Sequence, residues 1–371
     1  MFRDYVSNIA AGTGTNYIIE TGEVKTYRVR AYMKPLLAGD FNWAFSYVNA
    51  VNSTFAKGDV AWCNKEGGNF RINYAFIADG GEIGGLDVTP TEDFVRIPVT
   101  FGGEASRDVT PGEVFRSDPV RIALPENHYL LFEWELTGDG IPGTPDSQSA
   151  AFIEKDGVWK PANTAPLPAL FGCDRPFKKR VAFLGDSITQ GCQTRPNAYE
   201  MWAGRIAAML QPEYAVWNLG LGYARASDAA TDGCWLAKAK QADVVIVTLG
   251  VNDIFHGALG SERGSTAGEI IASLERIITL LQEAGVTVIL STVPPFSFPQ
   301  DRYLEWRAVN LAIPAIAAMH GCRVYDIESA LDESANLGNR FTHGAHPDGE
   351  GGRIAAEKFY HTFHTDAGWT I

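Results

Sequence analysis

Four short segments of the 371-residue chain carry side chains suited to hydrolysis at a carbonyl group. Gly-Asp-Ser at 185–187 ends one apolar run, and Gly222 and Tyr223 follow a second. Asn252 follows a third, and His346 stands before Pro347 near position 371. A serine hydroxyl becomes a nucleophile when a base removes its proton, and histidine suits that task near neutral pH. Ser187 and His346 are therefore the candidate nucleophile and base.

The same segments offer donors for an oxyanion, because a tetrahedral intermediate needs preorganised hydrogen bonds. The candidates are the backbone N–H of Ser187, those of Gly222 and Tyr223, and the side-chain amide of Asn252. Asp186 is a supporting residue beside the nucleophile. Each segment taken alone is also typical of an ordinary turn or helix cap, so only a shared place in the fold favours chemistry.

The sequence pattern after Lys178 predicts a fold in which these segments lie close together. Strand-like apolar runs alternate with helical patterns, and the runs are RVAFLG, AVWNLG, DVVIVTLG, VTVILSTV and CRVYDI. Near-continuous apolar runs are typical of strands covered on both faces, so a doubly wound parallel sheet of about five strands is expected. Ligands bind at the carboxyl ends of such strands, where the candidate residues lie.

Helix boundaries in this half follow from capping signals. Thr266 and Glu269 form a capping box at the start of one helix, and Gly285 stands where that helix should end. A helix over about 302–319 should kink near Pro314. Asp348 is the expected N-cap of the last helix.

Residues 1–175 follow a different pattern, with short alternating runs between turn signals. KTYRVRAYM, NFRINYAFIA, FVRIPVTF, PVRIALP and YLLFEWEL predict strands with one buried face. Turns are expected at 78–81 and 110–113, and 138–176 is read as a long crossing with a strand near 151–153. The predicted fold class is thus an all-β, jelly-roll-like sandwich over 1–175, followed by an α/β domain over 176–371.

Composition excludes several kinds of partner. The net charge of −13 and the absence of basic runs disfavour nucleic acid and anionic membranes. Residues 1–10 lack a signal-peptide pattern, and no window reaches the roughly 18 apolar residues of a membrane span, which favours a cytoplasmic protein without membrane insertion. The five scattered cysteines form no C-x-x-C pair, so no disulfide framework, metal or cofactor is expected.

The ordered segments resemble a known family, the SGNH or GDSL hydrolases. Its four sequence blocks are similar to GDSITQG at 185–191, NLGLG at 218–222, GVND at 250–253 and His346-Pro347. The resemblance covers roughly 180–371 and implies a flavodoxin-like α/β/α fold that hydrolyses esters, often of short acyl groups. It also implies that Ser187 is the nucleophile, that His346 is the base, and that Asn252 and the Ser187 amide belong to the oxyanion hole.

Two positions depart from the family pattern. His343 occupies the place of the acid that usually orients the base, so a carboxylate from elsewhere, a backbone carbonyl or a Ser–His dyad are the alternatives. Tyr223 occupies the place of the glycine of the second block, with Gly222 one residue before it. Because tyrosine resists positive φ, either Tyr223 or, after a shift of one residue, Gly222 supplies the backbone donor.

The N-terminal half resembles the β-domain of certain bacterial two-domain esterases over VTFGGEASRDVTPGEVFRSDPVRIAL at 99–124. Several enzymes with this domain order act on acylated carbohydrates, so the resemblance implies a small acylated substrate such as an acetylated sugar or oligosaccharide. The expected function is a serine esterase for short acyl esters. The alternatives are a thioesterase or lysophospholipase of the same family, or a catalytically weak carbohydrate-binding protein.

Overall fold

A computed structural model describes residues 2–52, 55–56, 60–61, 64–83, 88–255, 264–335, 341–342 and 346–371. The helices are α1 (Ser187–Gln190), α2 (Trp202–Met209), α3 (Ala226–Ala229), α4 (Cys234–Ala239), α5 (Val251–Phe255), α6 (Ala267–Glu283), α7 (Gln300–Met319), α8 (Ile327–Ala335) and α9 (Gly349–Phe363). None of the helices in these ranges has the length and apolarity to span a bilayer.

The first half of the chain contains strands but no helix in its described part. The strands are β1 (Val6–Ser7), β2 (Tyr17–Ile19), β3 (Lys25–Met33), β4 (Gly39–Val48), β5 (Phe55–Ala56), β6 (Val60–Ala61), β7 (Phe70–Glu82), β8 (Ile97–Val99), β9 (Arg107–Val109), β10 (Val114–Arg116), β11 (Val120–Leu124), β12 (His128–Gly138), β13 (Ile141–Pro145), β14 (Ala150–Lys155), β15 (Val158–Pro161), β16 (Thr164–Ala165) and β17 (Leu170–Cys173).

Two antiparallel sheets of this half form a sandwich. One has the order β1-β17-β4-β10, with β11 also on β4, and the other runs β15-β14-β3-β12-β7-β8, with β9 also on β7. Aromatic rings fill the space between the sheets. The ring centroid of Phe132 in β12 lies 4.7 Å from that of Phe45 in β4 and 5.4 Å from that of Phe171 in β17. The all-β sandwich predicted from the alternating runs is confirmed.

Two local predictions in this half are wrong. Residues 78–81 do not form a turn but lie inside β7, where a register shift against β12 lets the glycines continue the strand. The stretch 138–176 is no simple crossing, because β13 to β17 lie within it. Its proline and glycine content hid those short strands, whereas the strand expected near 151–153 is the centre of β14.

The second half contains the parallel sheet. Its strands are β18 (Lys179–Gly185), β19 (Tyr214–Asn218), β20 (Val244–Thr248), β21 (Thr287–Ser291) and β22 (Arg323–Tyr325). Two short antiparallel pairs lie apart from this sheet in the described residues, β23 (Phe341–Thr342) with β24 (His346–Pro347), and β25 (His364–Thr365) with β26 (Gly368–Trp369). The order β19-β18-β20-β21-β22 is the flavodoxin-like arrangement, and every pairing within it is parallel. The predicted α/β fold class is confirmed.

Capping accounts for the helix starts that the sequence predicts. Thr266 and Glu269 form the capping box of α6, Gly285 follows that helix with φ of 79°, and the Asp348 carboxylate accepts N–H bonds at the start of α9. Pro314 lies within the continuous helix α7. The boundary between residues 175 and 176 falls between β17 and β18 and stays a prediction.

The two halves are joined by hydrogen bonds that reach the ends of the parallel strands. The Asn218 amide at the end of β19 donates to Ala10 O at 3.1 Å, and the Trp217 indole donates to Ala169 O at 3.1 Å. The Asn16 amide donates to Gly222 O at 2.8 Å. The N-terminal segment is thereby held against the carboxyl end of β19 and the loop that follows it.

Gly220 allows the loop after β19 to approach helix α1. A Cβ at this position would lie 2.2 Å from Gln190 N and 2.6 Å from Gln190 Cα, both backbone atoms. We expect Gly220→Ala to lower the free energy of unfolding by about 1–3 kcal/mol, the range for overpacking a tight site. Gly268→Ala is the control, because position 268 is exposed on helix α6 and a Cβ there would meet nothing within 4 Å, so this substitution should be neutral or stabilising. Urea unfolding measures both, and equal stabilities would contradict the packing argument.

Candidate active site

Ser187 lies at the first position of α1, directly after β18. Asp186 is the N-cap with φ of −91° and ψ of −155°, and its Oδ1 accepts the Ile188 N–H at 2.9 Å. Gly191 ends the four-residue helix with φ of 105°, a left-handed conformation that glycine adopts without strain. This tight strand-to-helix turn leaves Ser187 partly exposed, with its hydroxyl at the carboxyl edge of the sheet.

His346 meets Ser187 at that edge. It lies in β24, just before Asp348 caps α9, and its Nε2 is 2.7 Å from the Ser187 Oγ. For Nε2 to accept the serine proton, the ring proton must sit on Nδ1. Phe296 packs edge-on against the imidazole, with ring centroids 5.3 Å apart and planes at 85°. The pair therefore has the geometry of a nucleophile and its general base.

The turn after β19 distinguishes the two candidate backbone donors. Ala224 N donates to Leu221 O at 3.1 Å, and Tyr223 has φ of 63°, at a turn position usually taken by glycine or asparagine. The Gly222 N–H donates to the Gln190 Oε1 at 2.7 Å. Tyrosine thus adopts the left-handed conformation here, and the Gly222 N–H is already engaged.

Asn252 lies at the start of α5 and faces the same place. Its side chain is buried, and its Nδ2 donates one hydrogen bond to Ala224 O at 3.0 Å. Because a primary amide carries two N–H donors, a second remains for the site.

These residues share one cavity of about 290 Å³. It is lined by Asn16, Pro145, Asp146, Ser187, Gln190, Cys192, Gln193, Gly222, Tyr223, Asn252, Phe255, Phe296 and His346.

The structure thus brings Ser187, Gly222, Tyr223, Asn252 and His346 to one cavity, with Asp186 buried beneath it. His343 lies outside the described residues, so the prediction about the orienting acid stays a prediction.

Sequence reasoning missed Gln190, Phe296 and the β-domain residues Asn16 and Asp146. Gln190 belongs to the GDSITQG block and could have been noticed there. The other three carry no local signal, because they reach the cavity from loops that are distant in sequence.

Two buried carboxyl groups lie under the site with raised pKa values. Burial raises the pKa of Asp186 to about 7, and the charge of Asp253 adds to the shift. Burial likewise raises the pKa of Asp253 to about 6, although its carboxylate accepts N–H bonds from Ala226 and Ser227 at the start of α3. Within the described residues, the Asp186 Oδ2 has no hydrogen-bond partner.

A flavodoxin-like domain with a serine–histidine pair at its carboxyl edge is the framework of a hydrolase. Residues 183–354 match the GDSL-like lipase/acylhydrolase family. This match indicates that the α/β half of the chain is a carboxylic ester hydrolase domain.

Several solved structures are similar to about half of the chain. A member of the lipolytic G-D-S-L family from Veillonella parvula is 22% identical, with a TM-score of 0.43, covering 50% of this chain and 97% of that one. A variant of Axe2, an acetyl xylan esterase from Geobacillus stearothermophilus, is 19% identical with a TM-score of 0.43, covering 50% of this chain and 95% of that one. No curated protein sequence matches the chain.

The raised pKa of Asp186 predicts a pH-dependent stability. The unfolded chain ionises this group near its usual value of 3.8, whereas the native protein keeps the proton up to about pH 7. Between these values unfolding releases a proton, so rising pH favours the unfolded state by up to ~1.4 kcal/mol per pH unit. Asp186→Asn removes this slope, and its free energy of unfolding relative to the wild type should rise from pH 4 to pH 7. Urea titrations at three pH values test this, and parallel curves for the two proteins would contradict it.

Proposed function

We propose that the protein is a serine esterase that hydrolyses short acyl esters, with Ser187 as nucleophile and His346 as base. The observation that carries the proposal is the 2.7 Å contact between Ser187 Oγ and His346 Nε2, two atoms of residues that line one cavity. Ser187 Oγ attacks the ester carbonyl while Nε2 takes its proton. The imidazolium then gives this proton to the leaving alcohol, and an acyl-enzyme remains.

Deacylation repeats the steps with water. His346 takes a proton from a water molecule, the resulting hydroxide attacks the acyl carbonyl, and Ser187 leaves with the proton returned by His346. In both steps the oxyanion is held by the backbone N–H groups of Ser187 and Tyr223 and by the Asn252 amide. Tyr223 is assigned in preference to Gly222, because the Gly222 N–H already donates to Gln190.

The cavity size supports a short acyl group. Its volume of about 290 Å³ lies at the lower end of the roughly 300–1,000 Å³ typical of small-molecule sites. That space must hold both the acyl group and the first atoms of the alcohol. An acetyl ester of a carbohydrate is the proposed substrate, in line with the domain order and with the amide side chains of the cavity lining.

Replacing the nucleophile tests the mechanism. Ser187→Ala should reduce kcat for p-nitrophenyl acetate by at least about 10³-fold, because no group remains to form the acyl-enzyme. Ser273→Ala is the matched control, since this hydroxyl bonds only Glu269 O on its own helix, outside the cavity lining. A fluorophosphonate should add one adduct to the wild type and none to Ser187→Ala. An unlabelled wild type would support the non-catalytic, carbohydrate-binding alternative.

A chain-length series separates the esterase from a thioesterase or lysophospholipase. With p-nitrophenyl esters from acetate to palmitate, we expect kcat/KM to be highest for acetate and to fall by at least tenfold by octanoate, because the cavity cannot enclose a longer chain. Decanoyl-coenzyme A and a lysophospholipid should be turned over at least 100-fold less efficiently than acetate. A rise of kcat/KM with chain length would contradict the short-acyl proposal.

A further inference from the structure

The β-domain delivers one charged side chain to the cavity, and that residue is Asp146. It follows β13 with φ of 47°, a conformation that aspartate tolerates better than most residues. Its N–H donates to Asn163 O at 2.8 Å, and its carbonyl accepts from the Gln190 Nε2 at 3.3 Å. The same Nε2 donates to Pro145 O at 2.6 Å. Bonds on both sides of Asp146 therefore fix its backbone at the rim of the site.

The carboxylate of Asp146 lines the cavity but is exposed to solvent, and it has no hydrogen-bond or ion-pair partner within the described part of the chain. Asp186, Asp253 and Asp348, by contrast, all accept backbone N–H bonds at helix starts. Partial desolvation by the cavity walls raises the pKa of Asp146, and the nearby charge of His346 opposes that shift. Hydrogen bonds to an ionised carboxylate are stronger than those between neutral groups, so a ligand hydroxyl that donates to Asp146 gains affinity.

The other side chains that line the cavity indicate which kind of ligand group donates the hydrogen bond to Asp146. The other polar side chains include the amides of Asn16, Gln193 and Asn252, which bind hydroxyl groups in either direction. A substrate whose alcohol part carries a positive charge is disfavoured, because His346 becomes positively charged as it takes the serine proton and would repel that group. A neutral hydroxyl matches both the carboxylate and the amides.

We propose that Asp146 accepts a hydrogen bond from a hydroxyl group adjacent to the acylated oxygen of the substrate, so that the enzyme selects partly acylated polyols such as monoacetylated sugars. This inference rests on the proposed esterase function. Asp146 is a specificity residue in this scheme, while Ser187 and His346 perform the chemistry. The β-domain thereby contributes to substrate choice through a single loop.

The test compares two esters that differ by one hydroxyl, the monoacetate of 1,2-cyclohexanediol and cyclohexyl acetate. We expect the wild type to prefer the hydroxyl ester by at least about tenfold in kcat/KM. Asp146→Asn keeps the shape and tolerates positive φ, but it turns a charge-assisted hydrogen bond into a neutral one, so the preference should fall by about tenfold, mainly through KM. Since the readout is a ratio within one preparation, a reduced folded fraction does not affect it.

Asp156→Asn is the matched control, because Asp156 also has positive φ, at 54°, and is exposed in the turn between β14 and β15. It should keep the wild-type ratio. Turnover of both esters by the wild type without preference overturns this inference and leaves the esterase standing, whereas no turnover of either overturns the esterase and the inference with it.

Equal losses on both esters in Asp146→Asn, with the acidic limb of the kcat/KM profile moved to lower pH, would also overturn the inference. That pattern would mean that Asp146 acts by stabilising the imidazolium of His346. Hydrolysis of acetylcholine at least as efficient as that of the diol monoacetate would overturn the choice of a neutral hydroxyl.

Discussion

The buried amide of Gln190 is the interaction on which the geometry of the site depends. Its Nε2 donates to Pro145 O of the β-domain at 2.6 Å, and its Oε1 accepts the Gly222 N–H at 2.7 Å. Gln190 itself ends helix α1, which begins with Ser187. One side chain therefore links three segments that are far apart in sequence. Because both ends of a buried amide must be satisfied, none of the three can shift without leaving a polar group unpaired.

This constraint explains how the cavity holds backbone conformations that are unfavourable in isolation. Asp146, Gln193 and Tyr223 line the cavity, and all three have positive φ. Such conformations cost on the order of 1–3 kcal/mol each and persist only where the surroundings fix them. Tyr223 is the clearest case, since tyrosine adopts the left-handed conformation less readily than aspartate or asparagine does. Packing from both domains supplies the missing free energy, which ties the shape of the site to their association.

The sequence predicted those parts of the molecule that depend on local patterns. Continuous apolar runs predicted the five parallel strands, and Thr266, Glu269 and Asp348 predicted helix starts, because capping involves residues within one turn. Strands β13 and β15 to β17 were missed, since Pro and Gly in 138–176 are typical of loops, whereas long-range pairing decides that these residues form strands.

At the site, the residue types of Ser187, Asn252 and His346 indicated the chemistry, and the parallel sheet predicted where they would meet. The contribution of Asp146 and Asn16 could not be predicted, because it depends on how one domain docks on the other. The positive φ of Tyr223 could not be predicted either, because the turn between Leu221 and Ala224 overrides the conformational preference of tyrosine.

The bond between Ala10 O and the Asn218 amide has a consequence for biosynthesis. The two residues are 208 positions apart, so the N-terminal segment leaves the ribosome long before its partner exists. The β-sandwich can form first, but the residues around Ala10 must wait for the strand that ends at Asn218. Contacts of such separation slow folding and leave apolar surface uncovered in the meantime. The docking of the residues around Ala10 is therefore a late event, and the cavity beside Ser187 is completed only when it has occurred.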